Sequence, residues 1–327
     1  MTRNELENYL EEARRAEDAS DFLAASFLYK SALGVAGKLN DKEAIRLCKE
    51  KVVETNKKSR SQYKEIAVET KVPTEEIRKI VDSILVGDLP QILKTIGGHP
   101  YLYPHYERIA DSASKSMPIS YIIASVSTVS EHGHVVKGGE GGDHSWVMKN
   151  YEMHQSLINQ LYLRQVFAEL AKKDLTRETL LSYLKETPAF AALNLEVVEV
   201  GIERYFAKDY VSALHILTPH FEAIFLALSE KAGLDVIALN RGKEVSTQPR
   251  TLSADLLSSQ PFQDTWGVNL CEQLKFALFD PLGYALRHKI AHGFISKDEC
   301  HEDFANLIVY FYLALAARIA KKEVATT

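Results

Sequence analysis

The sequence predicts a mainly α-helical protein, with an N-terminal helical region, a small β-hairpin in the middle and an up-and-down helical bundle at the C-terminus. Three observations carry this expectation. Apolar residues recur at helical spacing over most of the chain, most clearly at Leu214, Leu217, Phe221, Ile224, Phe225 and Leu228. One stretch, Ile119 to Val129, is instead dense in β-branched residues, and the turn-like His132-Gly133-His134 and then Val135-Val136 follow it. Hydrophobic residues make up 46% and charged residues 25% of 327 positions, an ordinary balance for a globular chain large enough to bury a good core.

Charge and cysteine content narrow the function classes. The net charge of −5 offers no global basic field, so any site for a polyanion must be local. Cys48, Cys271 and Cys300 form no C-x-x-C pair and no even framework, which suits a reducing compartment. The start, Met1 to Glu7, lacks the apolar stretch of a signal peptide, and no run is expected to span a membrane. The expectation is a soluble cytoplasmic protein with no membrane association.

Residues 1–95 read as the N-terminal helical region. Ala13, Ala16, Phe22, Ala25, Tyr29 and Leu33 keep a helical rhythm across a break near Asp18 to Asp21. A second helix runs from Asp41 through Ala44, Ile45, Leu47, Val52 and Val53. The spacing is loosely similar to a tetratricopeptide pair, but one pair without a repeat period predicts a plain helical cap. Lys49, Lys51, Lys57, Lys58, Arg60 and Lys64 form a basic run that could touch phosphates, yet Glu50, Glu54 and Glu65 interrupt it as on a solvated face. Val72-Pro73-Thr74 restarts a helix that fades at Gly87-Asp88.

Residues 96–150 read as a connector made of the hairpin and a glycine-rich loop. Gly97-Gly98-His99-Pro100 opens a loop holding Tyr101, Tyr103 and Tyr106, and after the hairpin Gly138 to His144 forms a second, flexible loop. His132, His134, Asp143 and His144 are metal-ligand types within a short span, which makes a metal site one alternative. Their spacing matches no known cage, and exposed glycine-rich loops gather such residues without binding anything. The glycines are not a phosphate-binding P-loop, because no Lys-Ser/Thr follows them.

Residues 151–327 read as the bundle, with its core at about 195–325. Leu157, Ile158, Leu161, Val166, Phe167 and Leu170 mark one long helix, Thr176-Arg177-Glu178-Thr179 opens a short one, and Asn194 to Phe206 forms another. The helix carrying Leu214 to Leu228 places His215, Thr218 and Glu222 on its polar side and is closed by Gly233. Residues 240–265 look polar and loop-like around a short Leu252 to Leu257 segment. Helices at about 266–279, 281–292 and 297–321 finish the chain.

The penultimate helix concentrates the chemistry in Arg287-His288-Lys289-Ile290-Ala291-His292-Gly293. Asp280-Pro281 looks like an N-cap with proline at the first helical position, and Leu282, Leu286, Ile290 and Phe294 form a core-facing stripe. Gly293 fits the C′ position, and Ser296-Lys297-Asp298-Glu299 matches a capping box for the next helix. His288 and His292 share a face opposite the stripe, with Arg287 on its flank. A guanidinium that binds phosphate thus sits near imidazoles, the side chains that titrate around neutrality. The same residues would also serve as cations on a solvated last turn.

On these residues the C-terminal region resembles the HEPN superfamily of helical nucleases and RNA-binding modules. Arg287 to His292 is similar to that family's motif of an arginine, four to six residues and a histidine. The pairing of Lys208-Asp209-Tyr210 through Ala213, Leu217, Pro219 and Glu222 with Leu286 to Gly293 further resembles a bacterial branch of it, over about residues 195–325. One departure is His288, where the branch usually has a small polar residue such as Asn. The resemblance implies metal-independent RNA cleavage at a site formed where two motifs meet across a homodimer, with no cofactor. It implies His292 as general acid/base, Arg287 as phosphate clamp, His288 as auxiliary and Glu222 as a possible orienting carboxylate. The partner would be RNA, tRNA included, and the setting a toxin or phage-defence system. A non-catalytic RNA-binding or dimerisation module is the alternative.

Overall fold

The computed structural model describes residues 2–63, 73–117, 125–129, 135–140, 143–241 and 245–325. The protein is mainly helical, with one small antiparallel hairpin mid-chain and a second one further on. It divides into two compact units, Met1–Lys71 with Pro118–Gly142, and Val72–Met117 with Asp143–Thr327. These units are drawn along other lines than the division expected at 95 and 150. The helices after Pro73 bury Ile77, Val81, Ile84, Ile92, Leu93 and Ile96 in the same core as the C-terminal helix, so they belong to the larger unit.

The smaller unit holds α1 (Arg3–Asp18), α2 (Phe22–Leu39) and α3 (Lys42–Lys58). Each starts at a side-chain cap: Thr2 makes a reciprocal capping box with Glu5, and Asp21 and Asp41 accept from Ala24 and Ala44. Small residues, Ala13, Ala25, Ala32 and Ala36, let the helices pack closely around Tyr29 and Val35. The basic run is partly neutralised here. Lys51 binds Glu17 at 2.9 Å and Glu54 at 3.1 Å, and Lys58 binds Glu54 at 2.6 Å; Lys64 lies outside the described residues. Strands β1 (Ser125–Val129) and β2 (Val135–Glu140) pair antiparallel, with a register irregularity at Thr128/Val129. Gly138 and Gly139, expected in a loop, are strand residues opposite Ser127 and Val126.

The larger unit comprises α4 (Thr74–Ile84), α5 (Leu89–Gly98), α6 (Tyr106–Ser116), α7 (Asp143–Leu157), a π-helical stretch (Ile158–Leu163) and α8 (Arg164–Ala171). It continues with α9 (Arg177–Glu186), α10 (Pro188–Ala191), α11 (Glu196–Phe206), α12 (Tyr210–Lys231), β3 (Ile237–Arg241) and β4 (Val245–Pro249). It ends with α13 (Ala254–Leu257), α14 (Gln260–Trp266), α15 (Val268–Leu278), α16 (Leu286–Ala291) and α17 (Glu302–Ala325). The region 240–265, expected as loop, therefore contains much of the β3–β4 hairpin and two short helices.

Helix α17 is the axis of this unit. Every residue from Ala305 to Ala317 is buried, as for a helix surrounded on all sides. Charged side chains flank the buried stretch: Arg164 clamps Asp303 with two hydrogen bonds, and Arg318 donates to the carbonyls of Trp266, Gly97 and Ala314. Helix α12 lies against it through Phe221, whose ring is 5.6 Å from Phe311 and 5.5 Å from Tyr312. The Tyr312 hydroxyl donates to the Leu217 carbonyl, next to the helix-interior Pro219. By length and composition α12 could cross a membrane, contrary to the expectation that no run approaches that length. Here its apolar face, Leu214 to Leu228, is buried in the helical core. Thr218, expected on the polar side, is buried as well.

Gly97 marks the closest helix approach, since a Cβ there would lie 2.1 Å from the Leu313 carbonyl oxygen. Gly97→Ala is therefore expected to lower unfolding stability by about 1–3 kcal/mol in denaturant titrations. Gly98→Ala, with nothing within 4 Å of the added methyl, is expected to be neutral or mildly stabilising.

Candidate functional site

The site grows out of the connection between α15 and α16. Asp280 and Pro281 were expected to start a helix, and they form a tight turn instead. The Gly283 N–H donates to the Asp280 carbonyl at 2.9 Å, and the Asp280 carboxylate accepts from the Leu282 N–H at 2.8 Å. Asp, Pro and Gly at turn positions one, two and four explain the difference, since that pattern favours a β-turn. Gly283 also sits where a Cβ would meet the Phe276 carbonyl at 2.1 Å, an approach only glycine permits. The chain then passes through Ala285 in the left-handed region (φ 49°) before α16 begins at Leu286.

Helix α16 is thus six residues long, and only its end matches the expectation. Gly293 takes a left-handed φ of 67°, and its N–H donates to the Ile290 carbonyl while that of Phe294 donates to Lys289 at 2.7 Å. This is a Schellman ending with His292 as the C-cap. Of the expected core stripe, Leu286 is buried, Leu282 and Ile290 are partly buried, and Phe294 is exposed. Past the glycine the chain leaves the helical face, so Phe294 stacks on the His292 ring instead, 5.9 Å between centroids and 26° between planes. Ser296 and Glu299 do form the reciprocal capping hydrogen bonds, but they close a turn, and α17 starts at Glu302. Glu299 also holds Lys289 in an ion pair.

Arg287 is fixed from the neighbouring helix. Its Nε donates to Glu222 Oε2 at 2.9 Å, while Oε1 of the same carboxylate accepts the Leu252 N–H at 2.9 Å. Glu222 therefore joins α12, the approach to α13, and α16. Its side chain is 13% exposed and that of Arg287 29%, a partly buried pair. Because the guanidinium is held through Nε, its two terminal nitrogens remain the donors that can address an anion.

His288 and His292 face each other one turn apart, with ring centroids 4.5 Å apart. Partial burial lowers the His288 pKa below the usual histidine value, and the nearby charges of His292 and Arg287 lower it further. Arg287, tethered to Glu222, lies in the first turn of α16, and the facing pair His288 and His292 runs to its C-terminal end, with Arg287 near enough to His288 to act on its charge.

Of the alternative cluster, Asp143 and His144 fall within the described residues. His132 and His134 lie outside the described residues. Asp143 and His144, expected in a loop, occupy the first turn of α7. No group of three or more His, Cys, Asp or Glu side chains suited to a metal occurs among the described residues. All three cysteines are free and buried.

Two features of the site had weaker signals in the sequence. The Leu252 N–H, the second anchor of Glu222, leaves none, because a backbone donor has no sequence signature. Phe294 had one, since it directly follows the His-Gly helix end. The chain matches no protein-family model, no curated protein and no solved structure.

Two outcomes follow from this geometry. Glu222→Ala strands the Leu252 N–H and frees Arg287, and is expected to cost about 1–3 kcal/mol in chemical denaturation; Glu222→Gln, which keeps an acceptor for Leu252, is expected to cost less. In NMR titrations the His288 ring is expected to titrate below about 6.5. Arg287→Ala removes a cation that opposes protonation, so its pKa is expected to rise in that variant.

Proposed function

We propose that the protein is a metal-independent endoribonuclease whose reaction centre is the end of α16. The observation that carries this reading is the facing pair His288 and His292 beside Arg287, which is itself held in place by Glu222. The resemblance to HEPN nucleases in Arg287 to His292 adds to it.

RNA supplies its own nucleophile, the 2′-hydroxyl, so the reaction requires proton transfer and charge stabilisation rather than an activated water. One imidazole takes the 2′-OH proton as the 2′-oxygen attacks phosphorus, and a second group protonates the departing 5′-oxygen. We assign His292 as the principal acid/base residue. His288 is the auxiliary that accepts or returns a proton beside it. The terminal nitrogens of Arg287 stabilise the charge that builds on the phosphorane oxygens. Two chains related by a twofold axis would bring two such ends to one substrate, so a homodimer fits the same reading. RNA, with tRNA among the candidates, is the proposed partner; a cytoplasmic toxin or phage-defence role is the proposed setting.

The test is incubation of the purified protein with total RNA and tRNA in EDTA, beside His292→Ala and Arg287→Ala. The expected result is chelator-resistant cleavage, reduced about a hundredfold or more in each variant, a typical loss for a missing acid/base or charge-stabilising group. Silence of the folded wild type and both variants alike would leave a non-catalytic RNA-binding or dimerisation module as the better reading. Cleavage abolished by EDTA would contradict the proposal.

A further inference from the structure

The larger unit contains a cleft of about 610 Å³ between the η-turn Pro100–Leu102, helix α6 and the π-helical stretch. That volume is in the range of small-molecule sites. Two elements shape its wall. Arg108 and Ser112 stand one turn apart on α6, and His154, Ile158 and Tyr162 follow one another along the α7–π run. The π-helical register is itself a costly irregularity that recurs at functional sites.

The wall is aromatic and cationic, with no carboxylate among its residues. Arg108 is its one permanent charge; its guanidinium is exposed and makes no hydrogen bond or ion pair among the described residues. Tyr101 contacts the Tyr162 ring at a tilt, with centroids 6.3 Å apart and planes inclined by 49°, and the His99 ring at 5.8 Å, yet 53% of it stays exposed. Tyr103 is already occupied, by the Arg318 guanidinium at 5.9 Å and the His105 ring at 5.1 Å.

His105 is part of the frame. The Asn269 carbonyl oxygen accepts the Tyr106 N–H at 3.0 Å, which turns its amide nitrogen toward His105 Nδ1 at 3.4 Å. Nδ1 is then an acceptor, so Nε2 carries the proton and donates it to the Pro100 carbonyl at 3.1 Å. Both ring nitrogens are committed to holding the 100–105 turn, and the groups left for a ligand are the Tyr101 and Tyr162 rings, Arg108, Ser112 and His154.

An unpaired guanidinium in the same wall as a half-exposed tyrosine ring, with no acid to attract a cation or bind a polyol, suits a planar aromatic group carrying an anion. We propose that this cleft binds a nucleoside monophosphate unit, its base stacked on the exposed Tyr101 ring and its phosphate held by Arg108 with Ser112. Stacking on aromatic side chains accepts any base, while the guanidinium demands the phosphate. The unit is either a free nucleotide or an unstacked residue of single-stranded RNA. The inference stands on the cleft and does not depend on cleavage at α16.

Calorimetric titration of the full-length protein tests it, using the four 5′-nucleoside monophosphates, the matching nucleosides, inorganic phosphate and a short 2′-O-methyl oligoribonucleotide that resists cleavage. At least one monophosphate is expected to bind saturably and about tenfold or more tighter than its nucleoside. Arg108→Ala is expected to erase that advantage, and Tyr101→Ala to weaken the nucleotide and the nucleoside alike. Both side chains are exposed, so the variants should fold, and circular dichroism verifies it. An oligonucleotide that binds much tighter than the monophosphates identifies RNA as the source; equal affinities identify the free nucleotide. The proposal is overturned if neither the monophosphates nor the oligonucleotide bind saturably, if Arg108→Ala binds them unchanged, or if inorganic phosphate binds as tightly as the nucleotide.

Discussion

Complete burial of α17 from Ala305 to Ala317 is the constraint on which the larger unit depends. A helix apolar on every side cannot face water on any of them, so other elements must close around it. That requirement recruits α5 from far earlier in the chain, and it draws α12 in through Phe221. It also explains the Arg164–Asp303 clamp and the carbonyl contacts of Arg318. These place charged groups near the two ends of the buried stretch, where they can still reach solvent or satisfy exposed carbonyls.

The site at α16 inherits its geometry from this packing. Phe221 points into the core and fixes the rotation of α12, so its neighbour Glu222 emerges on another side, 13% exposed. There it gathers the Leu252 N–H and Arg287 Nε into one carboxylate. A six-residue helix is too short to hold itself together through its own backbone. What steadies α16 is external: the Glu222 tether, the Lys289–Glu299 pair, the buried Leu286 and the Schellman ending at Gly293. Preorganisation of this kind is what a charge-stabilising arginine needs, because a guanidinium already in position loses little freedom when an anion arrives.

Much of this was legible in the sequence where a local rule acts alone. The long helix α12 followed from its apolar spacing, the Gly293 ending from its position after the last apolar turn, and the first hairpin from its β-branched run. The closeness of His288 and His292 followed from their four-residue spacing. Misreadings arose where one residue pair serves two structures. Asp280-Pro281 begins helices and also begins turns; Gly283 decides for the turn, because a close approach to the Phe276 carbonyl excludes a Cβ there. Ser296 and Glu299 make the bonds of a capping box without a helix following them at once. The β3–β4 hairpin was missed because Ile237 and Leu239 are exposed and its second strand, Val-Ser-Thr-Gln-Pro, is mostly polar, so neither strand shows a core-facing alternation. The unit boundaries were beyond reach, since nothing local tells that α5 packs on a helix more than two hundred positions away.

The reading of α16 as a reaction centre makes a specific claim about bond-making: the 2′-oxygen attacks phosphorus and the 5′-oxygen leaves. The most direct measurement is the chemistry of the product ends from a defined RNA, by mass spectrometry, beside the same RNA carrying a single 2′-deoxy residue at the cut. The account predicts 2′,3′-cyclic phosphate and 5′-hydroxyl ends, and no cleavage at the deoxy position. Ends bearing 5′-phosphate and 3′-hydroxyl, or undiminished cleavage at the deoxy position, would contradict it, because water rather than the 2′-hydroxyl would then be the nucleophile.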